Sequence, residues 1–368
     1  MNNEPVYVTM PSLAPLEEYT ELLKGVWQRG ILTHNGPLVQ QFEKDFNTHF
    51  KVKQSVAVSN GTIALQMAIK ALALKGEIIT SPFTWIATVS AIQWEGCKPV
   101  FVDVDPTTLN IDPALIEAAI TKDTVAIMPV HVFGNLCDVA AIDAIAKKHN
   151  LKVIYDAAHA IGSEYNGRSA LECGDISATS YHATKILNTA EGGSCITTDN
   201  ELHEKLKRIR FFGHNDKKDI VEEGFNGKLT EVNAALGLAN LKYMDAVLAD
   251  RKTKYNYYKD ALKEIPEVSF QKIGTDCNYS YFPIIFKSEE MLFQVESELN
   301  KANVFPRRYF YPSVNTYTNI LEYQPCPKSE DVSRRILCLP LYYTLPMHII
   351  DTITGIIKSK HLVGSLVS

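Results

Sequence analysis

TVAIMPVHVFGNLCDVAAIDAIAKKHNLKVIYDAAHA, residues 124–160, decides the fold class. TVAIMPV (124–130) and KVIYDA (152–157) are short, continuously apolar runs, and VAAIDAIAKKH (139–149) between them carries apolar residues at helical spacing. A strand with one wet face alternates apolar and polar residues, so continuous runs predict strands buried on both faces. Two such strands joined through a helix run parallel, because a parallel pair needs a long crossover. The pattern extends upstream. QSVAVSN (54–60) leads into an apolar helical stretch over 62–74, EIITS (77–81) into another over 87–94, and PVFVDVD (99–105) into DPALIEAAI (112–120). Downstream, SATSY (177–181) and SCITTD (194–199) predict two more strands with a long loop between them. The expected class is α/β, a large three-layer α/β/α domain around a mostly parallel sheet.

After a helix-rich segment over 230–262 the order changes. VSF (268–270), SYFPIIF (280–286), a helix over 289–302 and a last helix over 348–358 predict a smaller C-terminal α+β domain. The expected boundaries are 1–245 for the large domain, N-terminal segment included, and 246–368 for the small one. KHLVGSLVS (360–368) shows no clear period.

Charge narrows the partners. Lys plus Arg is 37 against 42 for Asp plus Glu, a net charge of −5 with no basic block, which argues against nucleic acid. Any phosphate must be held by local geometry. MNNEPVYVTM lacks the basic and apolar regions of a signal peptide, and no apolar run approaches the roughly 20 residues of a spanning helix. Seven cysteines contain no C-x-x-C pair, so neither a disulfide framework nor a metal site is suggested. The expected location is cytoplasmic, with no membrane partner.

Open α/β sheets bind ligands at the carboxyl ends of their strands, and three ends here are unusual. At SNGT (59–62), Gly61 permits close backbone approach, and the free N–H groups of the helix with the Thr62 hydroxyl suit a phosphate; an ordinary N-capped helix reads the same way. At KVIYDAAHA (152–160), Asp156 places a carboxylate at the mouth of the sheet, able to hold a proton on an aromatic nitrogen or simply to cap a helix, and His159 follows. At SYHATKILNTAEGG (180–193), Lys185 follows an apolar strand, with the hydroxyls Ser180 and Thr184 nearby in sequence; desolvation there would lower its pKa and make it a nucleophile toward an aldehyde, although most lysines merely solvate a surface. Phosphate nest, carboxylate and lysine in that order match the needs of pyridoxal 5′-phosphate. Trp85 in SPFTWIAT (81–88) is a candidate to stack on its ring, or a core tryptophan.

With these segments, LTHNGPLVQQFE (32–43), FVDVDPTTLNID (101–112), MPVHVFGN (128–135), FNGKLTEVNAALGL (225–238), RRYFYP (307–312) and LPLYYTLP (339–346) occur in the order of one family. Over nearly its whole length the chain resembles the fold-type I pyridoxal-phosphate aminotransferases that act on nucleotide-linked keto-deoxyhexoses. The resemblance implies Lys185 as the Schiff-base lysine and Asp156 as the pyridinium partner. It implies Gly61, Thr62 and Ser180 on the phosphate, Trp85 over the ring face and His159 near the ring hydroxyl, where many relatives have Gln. It also implies a homodimer with shared active sites, Asn226 reaching the phosphate of the neighbouring subunit, and L-glutamate as amino donor. For the nucleotide-linked keto-sugar, Asn35 of the Thr33–Gly36 loop, Tyr309 and Tyr311 are candidates, the tyrosines equally readable as packing residues. The closest resemblance is to members that aminate TDP-4-keto-6-deoxy-D-glucose; amination at C3 and a catalytically silent relative are the alternatives. Dehydratases of the same fold carry His in place of the lysine, which Lys185 argues against.

Overall fold

Seven apolar segments of the sequence form one sheet in the computed structural model, which describes residues 4–274 and 276–364, with side chains through residue 359. They are Ser55–Val58 (β1), Glu77–Thr80 (β2), Lys98–Phe101 (β3), Thr124–Ile127 (β4), Lys152–Asp156 (β5), Ile176–Ser180 (β6) and Gly193–Ile196 (β7), in the spatial order β1-β7-β6-β5-β4-β2-β3. Neighbours from β3 through β6 are parallel. β7 runs antiparallel to both β6 and β1. No helix lies in the connection 181–192, so the chain turns straight back instead of crossing over. That returning loop carries Lys185.

Successive strand residues feed opposite layers. Ile78, Ala126 and Ile154 pack with Leu65, Met67 and Ala68 of the helix Gly61–Ala71 on one face. Ile79, Ile127 and Val153 pack with Ile142 and Ala146 of the helix Val139–His149 on the other. This two-sided burial is why the runs are continuously apolar. Each such Ile, Leu, Val or Met side chain moved from water to the core contributes roughly 1.5–3 kcal/mol.

The smaller sheet consists of Val268–Phe270 (β8), Phe282–Phe286 (β9) and Ile336–Leu339 (β10), all antiparallel, with β9 in the middle. Its core joins Phe282, Ile284 and Leu337 to Tyr258, Leu292, Val295 and Ile353 from three helices. Val6–Tyr7 pairs in parallel with Val304–Phe305, which ties the start of the chain to this lobe as well. The last helix spans Met347–Gly364, longer than 348–358, and residues 365–368 of KHLVGSLVS lie outside the described residues.

Elements missing from the sequence reading have weak local signals. The helix Leu16–Arg29 buries only Val26, so it has hardly any apolar stripe to read. β10 is a four-residue run directly after the helix Pro327–Arg335, too short for periodicity to separate strand from helix.

Candidate active site

The carboxyl ends of β1, β5 and β6 meet beneath the smaller lobe around a cavity of about 370 Å³. That is the size range of small-ligand sites. At the end of β1, extended Asn60 caps the helix Gly61–Ala71, its Oδ1 accepting from the Ile63 N–H at 2.9 Å. A Cβ at Gly61 would lie 2.9 Å from Cβ of Ser180 at the end of β6, so a larger residue would prise the helix from the strand. Gly61, Thr62 and Ser180 all line the cavity. The cap and the cup coexist. The side chain of Asn60 engages one first-turn N–H, and the hydroxyls and remaining first-turn N–H groups can receive a phosphate.

Asp156 is pinned through its backbone. Its N–H donates to Pro129 O at 2.9 Å, its carbonyl accepts from the His131 N–H at 3.1 Å, and the Ala157 N–H donates to Ala178 O at 2.8 Å. The side chain is 6% exposed and lines the cavity. Its Oδ1 accepts from the Ala158 N–H at 3.1 Å and its Oδ2 from the Thr88 hydroxyl at 2.7 Å. Burial raises its pKa above the usual carboxylate range, while those two donors and the Lys185 charge pull the other way. No helix follows Asp156, so a helix-capping role falls away.

Lys185 projects from a loop clamped at its base, where the Tyr181 N–H donates to Gly192 O at 2.7 Å and the Thr189 N–H to Tyr181 O at 2.9 Å. Tyr181 is buried edge-on against Phe42 and Phe46, and Ile186 and Leu187 turn into the protein interior. Rigid anchoring on both sides keeps Lys185 in the cavity. What solvent it meets there does not offset its desolvation, which pushes its pKa from the ordinary 10.5 down to about 8, against the attraction of Asp156. Only the neutral amine adds to a carbonyl, and raising the pH generates it. Covalent capture of pyridoxal phosphate by the apoprotein should therefore quicken with a midpoint near pH 8; stopped-flow absorbance across pH 6–10 measures this, and an ordinary-lysine midpoint near 10.5 would contradict it.

His159 is held neutral by burial and by the Lys185 charge, both lowering its pKa well below the usual value. Its Nδ1 accepts from the Phe133 N–H at 3.3 Å, so a neutral ring carries its proton on Nε2 and offers a donor there. The loop behind it needs a glycine. Gly134 has φ +83°, and a Cβ there would fall 1.9 Å from Oδ1 of Asn278, whose amide holds the His159 carbonyl at 2.6 Å.

Trp85, at the N-cap of the helix Ile86–Trp94, lines the cavity and is exposed, not a core tryptophan. Tyr309 lines it from the smaller lobe. Asn35, Tyr311 and Asn226 do not line this chain's cavity. Asn35 Oδ1 accepts from Arg210 at 3.1 Å, Tyr311 carries the Arg308 guanidinium 3.6 Å above its ring, and Asn226 is exposed with its Oδ1 on Lys228. Sequence reading missed Thr84, Thr88, Glu191, Tyr281 and Arg307, all of which line or support the cavity. The i, i+4 spacing of Thr84 and Thr88 was the one local signal available. Arg307 is the one fixed cation among the described lining residues, and its guanidinium stands 5.2 Å from the Tyr309 ring centroid.

A lysine with a lowered pKa, a buried carboxylate and a donor-lined cup at one sheet edge are the set that pyridoxal-phosphate chemistry needs. The chain belongs to the DegT/DnrJ/EryC1/StrS aminotransferase family, whose sequence profile matches residues 16–358. It is 44% identical to a dTDP-4-amino-4,6-dideoxy-D-glucose transaminase of Shigella dysenteriae over 365 residues, 96% of this chain and 99% of that one. Its fold superposes on DesI, solved in the presence of its TDP-sugar product, with a TM-score of 0.91 at 28% identity, covering 100% and 97% of the two chains. It also superposes on NtdA of Bacillus subtilis with bound cofactor PMP, with a TM-score of 0.86 at 28% identity over 93% and 82%. The protein is a pyridoxal-phosphate-dependent aminotransferase. The residues present fit that cofactor: Gly61 leaves the space a Cβ would fill, Asp156 is a buried carboxylate of the kind its ring nitrogen needs, and Lys185 is an amine whose charged form is disfavoured, as capture of its aldehyde requires.

Proposed function

We propose that this chain moves an amino group from L-glutamate to dTDP-4-keto-6-deoxy-D-glucose, giving dTDP-4-amino-4,6-dideoxy-D-glucose for a surface polysaccharide of the O-antigen type. The full-length similarity to the Shigella dysenteriae transaminase carries the choice of sugar. When bound, pyridoxal phosphate supplies an electron-withdrawing ring that acidifies the C–H bond beside the amine and carries nitrogen between the two substrates.

The residues divide the remaining work. Lys185, whose charged form desolvation disfavours, takes the proton from the reacting carbon and returns it. Asp156 holds a proton at the ring nitrogen, and His159 donates from Nε2 to the ring oxygen. Gly61, Thr62 and Ser180 receive the phosphate, and Trp85 covers the ring face. Arg307 offers a guanidinium to the anionic parts of the substrates, and Tyr309 takes the sugar side. Asn35 and Tyr311, outside the cavity of a single chain, are assigned to the nucleotide half, which extends past its rim.

The working form is a cytoplasmic homodimer, its lobes divided at 245/246 near the start of the helix Met244–Leu262. The partner subunit's Asn226 completes the phosphate cup, a reading supported by the exposed position of Asn226 away from its own cavity. Co-refolding a Lys185→Ala chain with an Asn226→Ala chain should then restore activity at limiting cofactor to about a quarter of wild type, because random pairing yields one intact site in each mixed dimer. Activity no higher than the sum of the two parents would oppose a shared site.

For the reaction itself, the protein is incubated with dTDP-4-keto-6-deoxy-D-glucose and L-glutamate and the new C–N bond located by NMR. Nitrogen at C4 is expected. Nitrogen at C3 of a 3-keto isomer, with the 4-keto sugar untouched, would transfer the assignment to 3-amination.

A further inference from the structure

Asp156 stands at the end of a chain of two buried hydroxyls. Thr84 and Thr88 are 2% and 0% exposed, their Oγ1 atoms lie 2.7 Å apart, and Thr88 Oγ1 lies 2.7 Å from Asp156 Oδ2. Thr88 is the third residue of the helix Ile86–Trp94, where a threonine hydroxyl can bond a backbone group of its own turn. Thr88 instead turns to the carboxylate, 68 residues away in sequence.

Proton counting gives the chain a direction. An ionised carboxylate only accepts, so the single Thr88 proton lies toward Asp156. Thr88 must then accept from Thr84, and the order is Thr84 to Thr88 to Asp156. Each donor stabilises the charged carboxylate against its burial, and the first polarises the second. We propose that Thr88, backed by Thr84, is a positioning residue that keeps Asp156 ionised and aimed so that it holds the proton on the ring nitrogen of the cofactor. The proposal rests on the assignment of Asp156 given above and is independent of the sugar.

The test uses Thr88→Val, Thr84→Val, the double variant and Thr88→Ser as full-length protein loaded with pyridine-15N pyridoxal phosphate. Two quantities are read, the cofactor dissociation constant and the 15N resonance, which reports ring-nitrogen protonation. Thr88→Val should weaken cofactor binding about tenfold or more, the range for a hydrogen bond to a charged group, and move the resonance toward its unprotonated position. Thr84→Val should move both in the same direction by about threefold or less in affinity. Because Thr84 reaches Asp156 only through Thr88, the double variant should shift the 15N resonance no further than Thr88→Val alone. Thr88→Ser, which keeps the hydroxyl, should restore both.

An unmoved resonance in Thr88→Val, additive effects in the double variant, or Thr88→Ser as impaired as Thr88→Val would each overturn the proposal. Thr84→Val leaves the direct bonds of Asp156 in place, so an unmoved resonance there overturns the chain even if Thr88→Val does not fold. Wild-type protein that fails to bind pyridoxal phosphate would instead remove the site assignment itself, before any variant is compared.

Discussion

Lys185→Ala is expected to reduce amino transfer by about 10⁴-fold or more, measured as glutamate-dependent conversion of the keto-sugar. In the proposed assignment one nitrogen carries two duties. It would capture the aldehyde of the cofactor and move the proton at the reacting carbon. His159 is no substitute base, because its Nδ1 is occupied by the Phe133 N–H and its Nε2 carries a proton. Lys185→Arg separates charge from basicity. A guanidinium retains the cation but stays protonated at any working pH, so this variant should be as inactive as Lys185→Ala. Substantial activity in Lys185→Arg would mean that Lys185 serves as a charge and not as a base.

Asp156→Asn is the second large effect, an expected loss of about 10³-fold in turnover with weaker cofactor binding. The substitution preserves shape and leaves an oxygen for the Thr88 hydroxyl, but removes the buried charge. Under the proposed assignment the ring nitrogen then loses the partner that holds its proton. The same variant should alter Lys185 in a defined direction. The negative charge of Asp156 raises the Lys185 pKa, so removing it should carry the midpoint for covalent cofactor capture below the wild-type value of about 8. A midpoint that stays put or rises would show that the two groups do not interact as their placement implies.

Local features of the sequence were sufficient to propose much of this candidate site. Gly61, Asp156, Ser180 and Lys185 each sit at or just beyond the end of an apolar run, and the chain topology alone delivers strand ends to one edge. The three-layer core was readable for the same reason, since strands such as Ile176–Ser180 are buried at every position. What could not be read depends on distance along the chain. Thr88 meets Asp156 only because the helix Ile86–Trp94 packs beside the sheet, and neither segment announces the other. Tyr281 and Arg307 flank strands of the smaller lobe, so their presence in the cavity depends on how that lobe covers the sheet. Asn35 and Tyr311 show the converse. Both lie in family segments, yet within one chain their side chains engage Arg210 and Arg308.

The net charge of −5 is compatible with a phosphate-bearing cofactor because the groups proposed to bind it are local: first-turn N–H groups, hydroxyls and a lysine whose pKa is lowered to about 8. All of this rests on Lys185 being the residue that captures the cofactor. Borohydride reduction of the loaded protein, followed by proteolysis and peptide mass spectrometry, tests it most directly. The pyridoxyl group is expected on the peptide containing Lys185, and a label on another lysine, or none, would contradict the account.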